Sequence, residues 1–512
     1  MGDKKLILTF NLGTTGTRAV LYDSSGNIVR SWLSTYVTYY SKENQVEQDS
    51  QDWWRAVCES TRNILRGINE KDIAVVSFSG QMMGCLCLDS AGNPLRNGII
   101  WADMRSYRES ESLRADIEEK QFYKITGHRI SSAYTLSKIL WIRNNEPEIF
   151  QKTSKILQSK DYIVFRLTDR IVTDYTDASG TNLYDLSRQE WSRTILSITG
   201  ISESLLPEVI GSTDIAGTVT IEAAAETGLL PGTPVVIGAG DGLCATVAGA
   251  CTKKDDAYMY FGSSAWIGLT REEPYWDPQM RTFNWAHVIP ELVGPCGTMQ
   301  AAGATMDWLR DELARTETEQ AEVQDCKTQD LIDIEIANSP PGANGLLLLP
   351  HLLGERSPYW DPRARGALIG LKRRHTRADV FRAYLEGVVL NLKVIWNAFK
   401  PELKPGELVL LGGLATSDLS CQLIADVFGV NTVVHNHLTD SKNFGAAFIG
   451  GMGIGLYGSL NEVKNMVRTE KRFVPNKMNT RYYEELLQVF EEAYIALQGV
   501  NKKLDQVGIR ST

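Results

Sequence analysis

The chain has 512 residues, of which 43% are hydrophobic and 22% are charged. These values are typical of a globular protein, and the length predicts two or more domains that together bury a large core. The formal net charge of -9 argues against a general nucleic-acid binder, because such proteins carry a basic surface.

The sequence predicts neither a membrane segment nor a secretory signal. Every apolar run is too short to span a bilayer, and the apolar stretch that follows Lys5 ends at Asn11. The eight cysteines are scattered and include no CxxC pair. We therefore expect a cytoplasmic protein with reduced thiols and with no membrane or nucleic-acid partner.

The first predicted element is a β-hairpin. Residues 6–10 form an apolar run that enters Gly13-Thr14-Thr15, and residues 18–22 form a second run that leaves it. Glycine allows close approach of the backbone to a ligand, and successive amides with threonine hydroxyls form an anion-binding nest. The turn is therefore a candidate phosphate-binding loop.

Strands then alternate with amphipathic helices, which is the pattern of an α/β protein. Ser50 is the predicted N-cap of a helix that leads to a strand over residues 73–78. A later strand over residues 235–237 ends in a glycine-rich loop, and an Ala/Gly/Val-rich helix over residues 243–251 follows.

Asp241 lies in that loop between Gly240 and Gly242. Open α/β sheets bind ligands at the carboxyl ends of their strands, and a carboxylate there is able to accept a proton from a substrate hydroxyl. The alternative is an aspartate that hydrogen-bonds its own turn. The local residues leave both interpretations open.

The hairpin pattern is repeated in the second half of the chain. Residues 257–261 and 265–269 flank a second turn, Gly262-Ser263-Ser264. Two such turns favour a nucleotide phosphate held between two domains, and we predict a boundary that separates residues 1–252 from residues 253–512. The chain has no GxxxxGK[ST], complete GxGxxG, GxSxG or HExxH motif, so several common enzyme classes are disfavoured.

Many short motifs, in order along nearly the whole chain, resemble those of the FGGY carbohydrate kinases, which belong to the actin/hexokinase/Hsp70-like superfamily. The motifs are Gly13-Thr14-Thr15 with Arg18, residues 46–54, Ser79-Gly80-Gln81-Met82, Trp101-x-Asp103-x-Arg105, Lys138-x-x-Trp141, Lys160-Asp161-Tyr162, residues 174–181, Gly240-Asp241, Gly354-Glu355-Arg356-Ser357-Pro358, Arg365-Gly366, Leu385-Glu386-Gly387, Gly412-Gly413 and Gly445-Ala446-Ala447. Within the family, the segments around Gln81 and Trp101 are most similar to those of xylulose kinases.

The resemblance implies an α/β fold of two RNase H-like, actin/hexokinase-like ATPase domains, with a cleft between them for nucleotide and sugar. It implies phosphorylation of D-xylulose or a related ketose or polyol, with ATP and Mg²⁺ as cofactors and with a homodimer as the assembly. Asp241 would be the general base. The implied binding residues are Gln81, Met82, Met83, Asp103, Arg105 and Gly242 for the sugar, and Gly13, Thr14, Thr15, Arg18, Gly262, Ser263, Ser264, Gly412 and Gly413 for the nucleotide.

Three positions depart from the family pattern. Asn11 stands where the family has an aspartate that holds Mg²⁺ through water, so the implied metal site, with Asp241 as a second ligand, is weakened. Met83 and Gly242 stand where xylulose kinases have histidine and asparagine, and neither side chain makes hydrogen bonds to a ketose. These two departures leave open a preferred sugar other than D-xylulose.

Several functions remain as alternatives. The substrate is D-xylulose, ribulose, gluconate, glycerol or another polyol. A catalytically weak sugar- or nucleotide-binding protein would follow from the loss of the charge at Asn11. An actin- or Hsp70-like ATPase shares the hairpins, but it does not account for the motifs around Trp101 and Arg356.

Overall fold

A computed structural model describes residues 5–42, 44–399, 405–437 and 440–508. We use "first half" for residues 1–252 and "second half" for residues 253–512. Strands of the first half are β1 (Leu6–Leu12), β2 (Gly16–Tyr22), β3 (Ile28–Thr35), β4 (Tyr39–Lys42), β5 (Gln45–Gln48), β6 (Ile73–Gly80), β7 (Leu86–Leu88), β8 (Gly98–Ile99), β9 (Lys155–Leu157), β10 (Val172–Asp174), β11 (Tyr184–Asp185), β12 (Glu190–Trp191), β13 (Glu208–Ile210), β14 (Ile215–Thr218), β15 (Pro234–Val236) and β16 (Ala239–Gly240). Its helices are α1 (Ser50–Leu65), α2 (Tyr107–Asp116), α3 (Glu119–Thr126), α4 (Thr135–Asn145), α5 (Pro147–Lys152), α6 (Ser159–Thr168), α7 (Tyr175–Ser179), α8 (Arg193–Thr199), α9 (Ile221–Thr227) and α10 (Asp241–Ala248).

The second half continues the α/β alternation. Its strands are β17 (Ala257–Phe261), β18 (Ala265–Leu269), β19 (Phe283–Ala286), β20 (Val293–Met299), β21 (Leu347–Leu349), β22 (Ala367–Ile369), β23 (Leu408–Gly412), β24 (Thr432–His435) and β25 (Thr469–Phe473). Its helices are α11 (Gly303–Trp308), α12 (Arg315–Gln324), α13 (Thr328–Ala337), α14 (Arg377–Ala398), α15 (Asp418–Phe428), α16 (Ser441–Gly453) and α17 (Lys477–Gly508).

Each half is organised around one large mixed sheet. The first has the order β14-β15-β6-β1-β2-β3, with β16 also paired to β6, and the second has the order β19-β20-β18-β17-β23-β24-β25. In both sheets a central strand, β1 or β17, forms an antiparallel hairpin on one side and pairs in parallel on the other. The shared topology confirms the prediction of two RNase H-like, actin/hexokinase-like domains.

Local predictions agree with the structure except at helix ends. Both predicted hairpins are present, with Gly13-Thr14-Thr15 and Gly262-Ser263-Ser264 as their turns. The prediction of Ser50 as an N-cap is wrong by one residue, because the carboxylate of Asp49 accepts the Gln51 amide at 2.8 Å and Ser50 is already helical. The helix predicted over residues 243–251 instead spans Asp241–Ala248, so it begins two residues earlier and ends three residues earlier, and Asp241 opens α10.

The helix α16 connects the two halves. Although it follows the strands of the second half, it packs against β1, β6 and α10 of the first, and Phe444 and Phe448 share a buried cluster with Ile7. A Cβ atom built on Gly445 would lie 2.0 Å from the carbonyl oxygen of Cys244 in α10. The two helices therefore cross in backbone contact. Within the described ranges, no helix combines the length and apolar composition that crossing a membrane requires.

A buried histidine also joins the halves. His128 is fully buried, its ring lies 4.5 Å from Trp285 and 5.5 Å from Phe283 in the second half, and its Nδ1 lies 3.0 Å from the Tyr134 hydroxyl. Burial, with a smaller contribution from the positive charge of Arg356, lowers its pKa from 6.5 to about 3. The folded protein therefore holds this ring neutral.

This burial makes stability depend on pH. Between about pH 3 and 6.5 the unfolded histidine binds a proton that the folded one does not, so stability is lost as the pH falls below about 6.5. We expect His128→Asn to reduce the slope of unfolding free energy against pH in this range by about 1.4 kcal/mol per pH unit. Urea unfolding at several pH values measures the slope, and His375→Asn, at a partly exposed histidine, is the matched control. An unchanged slope in the His128 variant would contradict the prediction.

Candidate active site

A cavity of about 380 Å³ lies between the two sheets. Both glycine turns line it, one from each half, together with Asp241 and Gln81. The remaining wall is largely aromatic and apolar, and Arg356 and Lys442 bring two positive charges to it. Elements that are distant in the sequence thus meet at one concave site.

Side chains of the first half hydrogen-bond to the carbonyl oxygens of the first turn. The carbonyl oxygen of Gly13 accepts the Tyr36 hydroxyl at 2.5 Å, and that of Thr14 accepts the Gln48 side-chain amide at 2.6 Å. The backbone amides of Thr14 and Thr15 have no acceptor among the residues that the structure describes. Because the carbonyl oxygens are already bonded, the turn presents donors for an anion at the cavity.

The second turn uses the same arrangement. The carbonyl oxygen of Ser263 accepts the amides of Ala302 and Ala304, both at 3.0 Å, and that of Gly262 accepts the Gly303 amide at 3.1 Å. The amides of Ser263 and Ser264 donate to no acceptor in the described part of the chain. Two sets of amide donors and hydroxyls therefore line one cavity, as a polyphosphate requires.

A network of hydrogen bonds and charges anchors the backbone immediately before Asp241, which is the first residue of α10. The Gly240 amide donates to the Thr176 hydroxyl at 2.8 Å, and that hydroxyl donates to the Asp174 carboxylate at 2.7 Å. Asp174 lies 3.1 Å from the ammonium of the fully buried Lys160. Burial alone would lower the pKa of Lys160, but Asp174 and two further aspartates raise it. This charged network fixes the backbone on which Asp241 is carried.

The carboxylate of Asp241 faces the cavity and is 27% exposed. Its Oδ2 lies 2.7 Å from the Nζ of Lys442. Among the described residues it makes no hydrogen bond with its own turn, which is the bond that a turn-stabilising aspartate would make. The side chain is thus placed to meet a ligand.

The two glycines beside Asp241 differ in their surroundings. A Cβ on Gly240 would lie 2.5 Å from the sulfur of Met82, so a side chain there would displace a residue of the cavity wall. A Cβ on Gly242, which also lines the cavity, would meet no atom within 4 Å. The cavity therefore has open space directly beside Asp241.

Gln81 presents a free acceptor. Its side-chain amide donates to Gln48 at 2.7 Å, which orients the group, and its Oε1 is buried with no partner among the described residues. An unpaired buried acceptor is costly, so this oxygen is suited to accept a ligand hydroxyl. Met82 and Met83 form the wall beside it, and Lys138 donates to the Met83 carbonyl oxygen at 2.7 Å.

Two residues expected at the sugar do not line this cavity. The guanidinium of Arg105 lies 2.7 Å from the Asp103 carboxylate and 2.7 Å from that of Glu47, and both Asp103 and Arg105 are almost fully buried. Asp103 also accepts the Val46 amide at 2.6 Å. The pair instead fixes the segment that carries Trp101, whose indole lines the cavity and donates to the Thr14 hydroxyl at 3.1 Å.

The remaining predicted nucleotide residues also lie outside the cavity lining. Arg18 pairs with Asp440 at 2.5 Å. Gly412 has a φ of +87°, and a Cβ there would lie 2.1 Å from the Phe261 carbonyl oxygen, so glycine is required where β23 ends. Gly413 begins a short 3₁₀ helix immediately after it.

Sequence reasoning did not identify several residues of the site. Lys442 follows no motif and precedes the Gly445-Ala446-Ala447 segment by three residues. Arg356 belongs to a motif of the resemblance but was given no role. Tyr260 lies next to the second turn, where its ring stacks on that of Trp266 at 4.3 Å. Its position beside a glycine turn was the available signal.

Comparison with known proteins gives a consistent picture. A model described as "FGGY family of carbohydrate kinases, N-terminal domain" matches residues 6–248, and the corresponding C-terminal domain matches residues 257–454. The chain is 31% identical to the xylulose kinase of Bacillus subtilis (strain 168), covering 98% of the chain and 99% of the relative, and 32% identical to the gluconokinase of Bacillus licheniformis, covering 96% of both. The crystal structure of ligand-bound xylulose kinase from Lactobacillus acidophilus superposes with a TM-score of 0.91 at 30% identity, covering 98% of this chain and 100% of that one.

Proposed function

Because the chain belongs to the FGGY family of carbohydrate kinases, whose members use ATP as phosphate donor, we propose that it phosphorylates D-xylulose or a related ketose or polyol. The observation that carries the proposal is the meeting of Asp241, Gln81 and two phosphate-binding turns in one cavity. Phosphoryl transfer to a sugar needs a base, a group that binds the sugar hydroxyls, and hydrogen-bond donors that hold the phosphates, and all three meet at this site.

The residues have separate roles in this mechanism. Gln81 accepts a hydrogen bond from the sugar and orients it. Asp241 accepts the proton of the reacting sugar hydroxyl while the oxygen of that hydroxyl attacks the terminal phosphorus of ATP. The amides of the two turns hold the phosphate oxygens and stabilise the charge of the transition state.

Asn11, the predicted magnesium position, lies outside the cavity lining. Asn11 lies at the end of β1 opposite Ser79, and its Oδ1 is buried with no partner among the described residues. We propose that Asn11 holds Mg²⁺ through water and that Asp241 is a second ligand, since Mg²⁺ takes few protein oxygens beside nucleotide phosphates. In the described ranges no group of three or more His, Cys, Asp or Glu side chains forms a metal cage. Bound Mg²⁺ would neutralise charge on the phosphate oxygens.

Asn11→Asp tests this assignment. A carboxylate at this position adds a charged oxygen ligand, so we expect half-maximal activity at a Mg²⁺ concentration about 10-fold lower, as outer-shell ligands usually contribute. A magnesium titration of sugar-dependent ADP release measures the change. Asn63→Asp, which adds the same charge at a partly exposed position on α1, should leave the titration unaltered. Equal titrations for wild type and the Asn11 variant would remove Asn11 from the metal site.

Substrate choice follows from the wall of the cavity. Met83 and Gly242 supply no side-chain hydrogen bonds to a sugar. At these two positions the resemblance to xylulose kinases implies histidine and asparagine, which do. The chain is also similar to a gluconokinase as closely as to a xylulose kinase. We propose D-xylulose or a related ketose first, because the segments around Gln81 and Trp101 resemble those of xylulose kinases, and we keep ribulose, gluconate, glycerol and other polyols as alternatives.

The test is ADP release from ATP and Mg²⁺ across a panel of these sugars. Strong turnover with one compound supports the kinase and names its substrate. If no sugar of the panel causes ADP release but calorimetry still detects sugar binding, the result would instead support a catalytically weakened binding protein. ATP hydrolysis that no sugar accelerates would contradict the proposal and favour an ATPase.

We further propose a domain boundary between residues 252 and 253, a cytoplasmic location and a homodimer. The large sheets on either side of the boundary support the first proposal. The cysteines, free thiols throughout the described residues, support the second. The dimer rests on the family resemblance, and light scattering on the purified chain tests it.

A further inference from the structure

Lys442 is the residue in contact with the proposed base. It lies in the first turn of α16, its side chain is 18% exposed, and its Nζ is 2.7 Å from Asp241 Oδ2. The ammonium also lies 4.6 Å from the centre of the Tyr260 ring and 5.4 Å from that of Trp266. The ammonium of Lys442 thus places a positive charge inside the cavity, next to the carboxylate of Asp241.

The contact with Asp241 differs from the structural ion pairs of this protein. The buried Lys160 is enclosed with three aspartates and has no exposed surface. Lys442 and Asp241 are both partly exposed, and both line the cavity that the two turns share. A lysine on a flexible stem at such a place can exchange one anionic partner for another.

A phosphate has the charge to make that exchange. While the ammonium is bonded to Asp241, it occupies one of the two carboxylate oxygens. A terminal phosphate held by the two turns would arrive between the same groups with more negative charge than a carboxylate, and charge-assisted bonds to phosphate are strong. The ammonium of Lys442 is thus attracted away from the carboxylate of Asp241 and toward the terminal phosphate.

We propose, on the basis of the function proposed above, that Lys442 is a phosphate-binding catalytic residue that pairs with Asp241 in the empty site and with the terminal phosphate of the nucleotide in the filled one. The exchange frees Asp241 to act as the base only when a phosphate donor is in place. It also adds a protein cation at a site where Asn11 supplies no charge to hold the metal.

The transfer step balances with Lys442 protonated throughout. The sugar oxygen forms a bond to the terminal phosphorus while the bond from that phosphorus to the bridging oxygen breaks, and its electron pair leaves with ADP. The hydroxyl proton goes to Asp241 and is later lost to solvent. Lys442 donates hydrogen bonds to a non-bridging oxygen and is chemically unchanged.

Nucleotide binding without turnover tests the proposal. Calorimetry compares the β,γ-methylene analogue of ATP with AMP, for wild type, Lys442→Met and Lys442→Arg. We expect the methionine variant to bind the analogue about 10- to 100-fold more weakly, the usual effect of losing a charged hydrogen bond. Its affinity for AMP should stay within about twofold, because AMP lacks the terminal phosphate. The arginine variant keeps the charge and should retain most of the affinity.

Lys124→Met is the matched control. Lys124 also lies over a tryptophan ring, 4.4 Å from that of Trp276, but it is outside the cavity lining, so this variant should bind both nucleotides as wild type does. Thermal unfolding of each variant checks that the fold is retained.

Three results for Lys442→Met would overturn the proposal. They are an unchanged affinity for the analogue, an equal loss of affinity for the analogue and for AMP, and a loss of affinity for the sugar with none for the analogue. The last would mean that Lys442 binds an anionic group of the substrate. A wild-type protein that releases no ADP with any sugar would refute the proposed function, while the nucleotide comparison would still decide the role of Lys442.

Discussion

Asp241→Asn should abolish sugar-dependent ADP release while the protein stays folded and continues to bind sugar. The amide has nearly the shape of the carboxylate and its oxygen is able to accept the hydrogen bond of Lys442, so the cavity is preserved. It does not accept the proton of the reacting hydroxyl. General-base catalysis accelerates reactions by about 10²- to 10⁴-fold, and we expect kcat to decrease by a factor in that range. Steady-state kinetics and sugar calorimetry on the same preparation measure both properties.

Asp52→Asn provides the control for this variant. Asp52 also lies in the first turn of a helix, α1, its side chain is 25% exposed, and its carboxylate lies 3.0 Å from the guanidinium of Arg55. It differs from Asp241 in lying outside the cavity lining. Its variant should keep the wild-type kcat. A kcat for Asp241→Asn close to that of wild type would refute the role of Asp241 as the base.

The second large effect is expected from Gly445→Ala. The added Cβ would lie 2.0 Å from the Cys244 carbonyl oxygen, and because this neighbour is backbone, α10 and α16 must move apart. Overpacking of this kind costs about 1–3 kcal/mol, so the midpoint of thermal unfolding should fall. Activity should fall as well, since Asp241 and Lys442 each lie three residues before the crossing on their own helices.

Gly499→Ala is the matched control for the helix crossing. Gly499 lies within α17, and a Cβ there would meet no atom within 4 Å. Alanine is favoured over glycine inside a helix by about 0.5–1 kcal/mol, so this variant should unfold at the same temperature as wild type or higher. If both glycine variants unfold at the wild-type temperature, the two helices do not cross as closely as described.

The fold was predictable where the signal is local. A hairpin is specified by its two apolar runs and its turn residues, and both central hairpins were predicted from about 15 residues each. Helix ends were less certain, because Asp49 and Ser50 are both good caps and Gly242 disfavours the helix that nevertheless begins at Asp241. The packing of α16 against the first sheet had no local signal, since its contacts are with strands more than 350 residues earlier in the chain.

The site shows the same limit. Asp241 was a candidate from its place after a buried strand and became the predicted base through the family resemblance, and Gln81 was predicted from the resemblance alone. Asp103 and Arg105 were expected in the sugar pocket, but their spacing does not reveal that they neutralise one another. Lys442 was missed because it has meaning only next to Asp241, 201 residues away in the chain.

The unequal surroundings of Gly240 and Gly242 bear on how this family diversifies. A side chain at Gly240 disturbs Met82, so that position is tied to the integrity of the cavity wall. Gly242 faces open space, so a mutation there adds a new group next to the base without displacing any neighbour. A single substitution at position 242 is therefore expected to change which sugar is preferred without moving the proposed base, Asp241. Kinases with open space at this position would have a short route to new substrates.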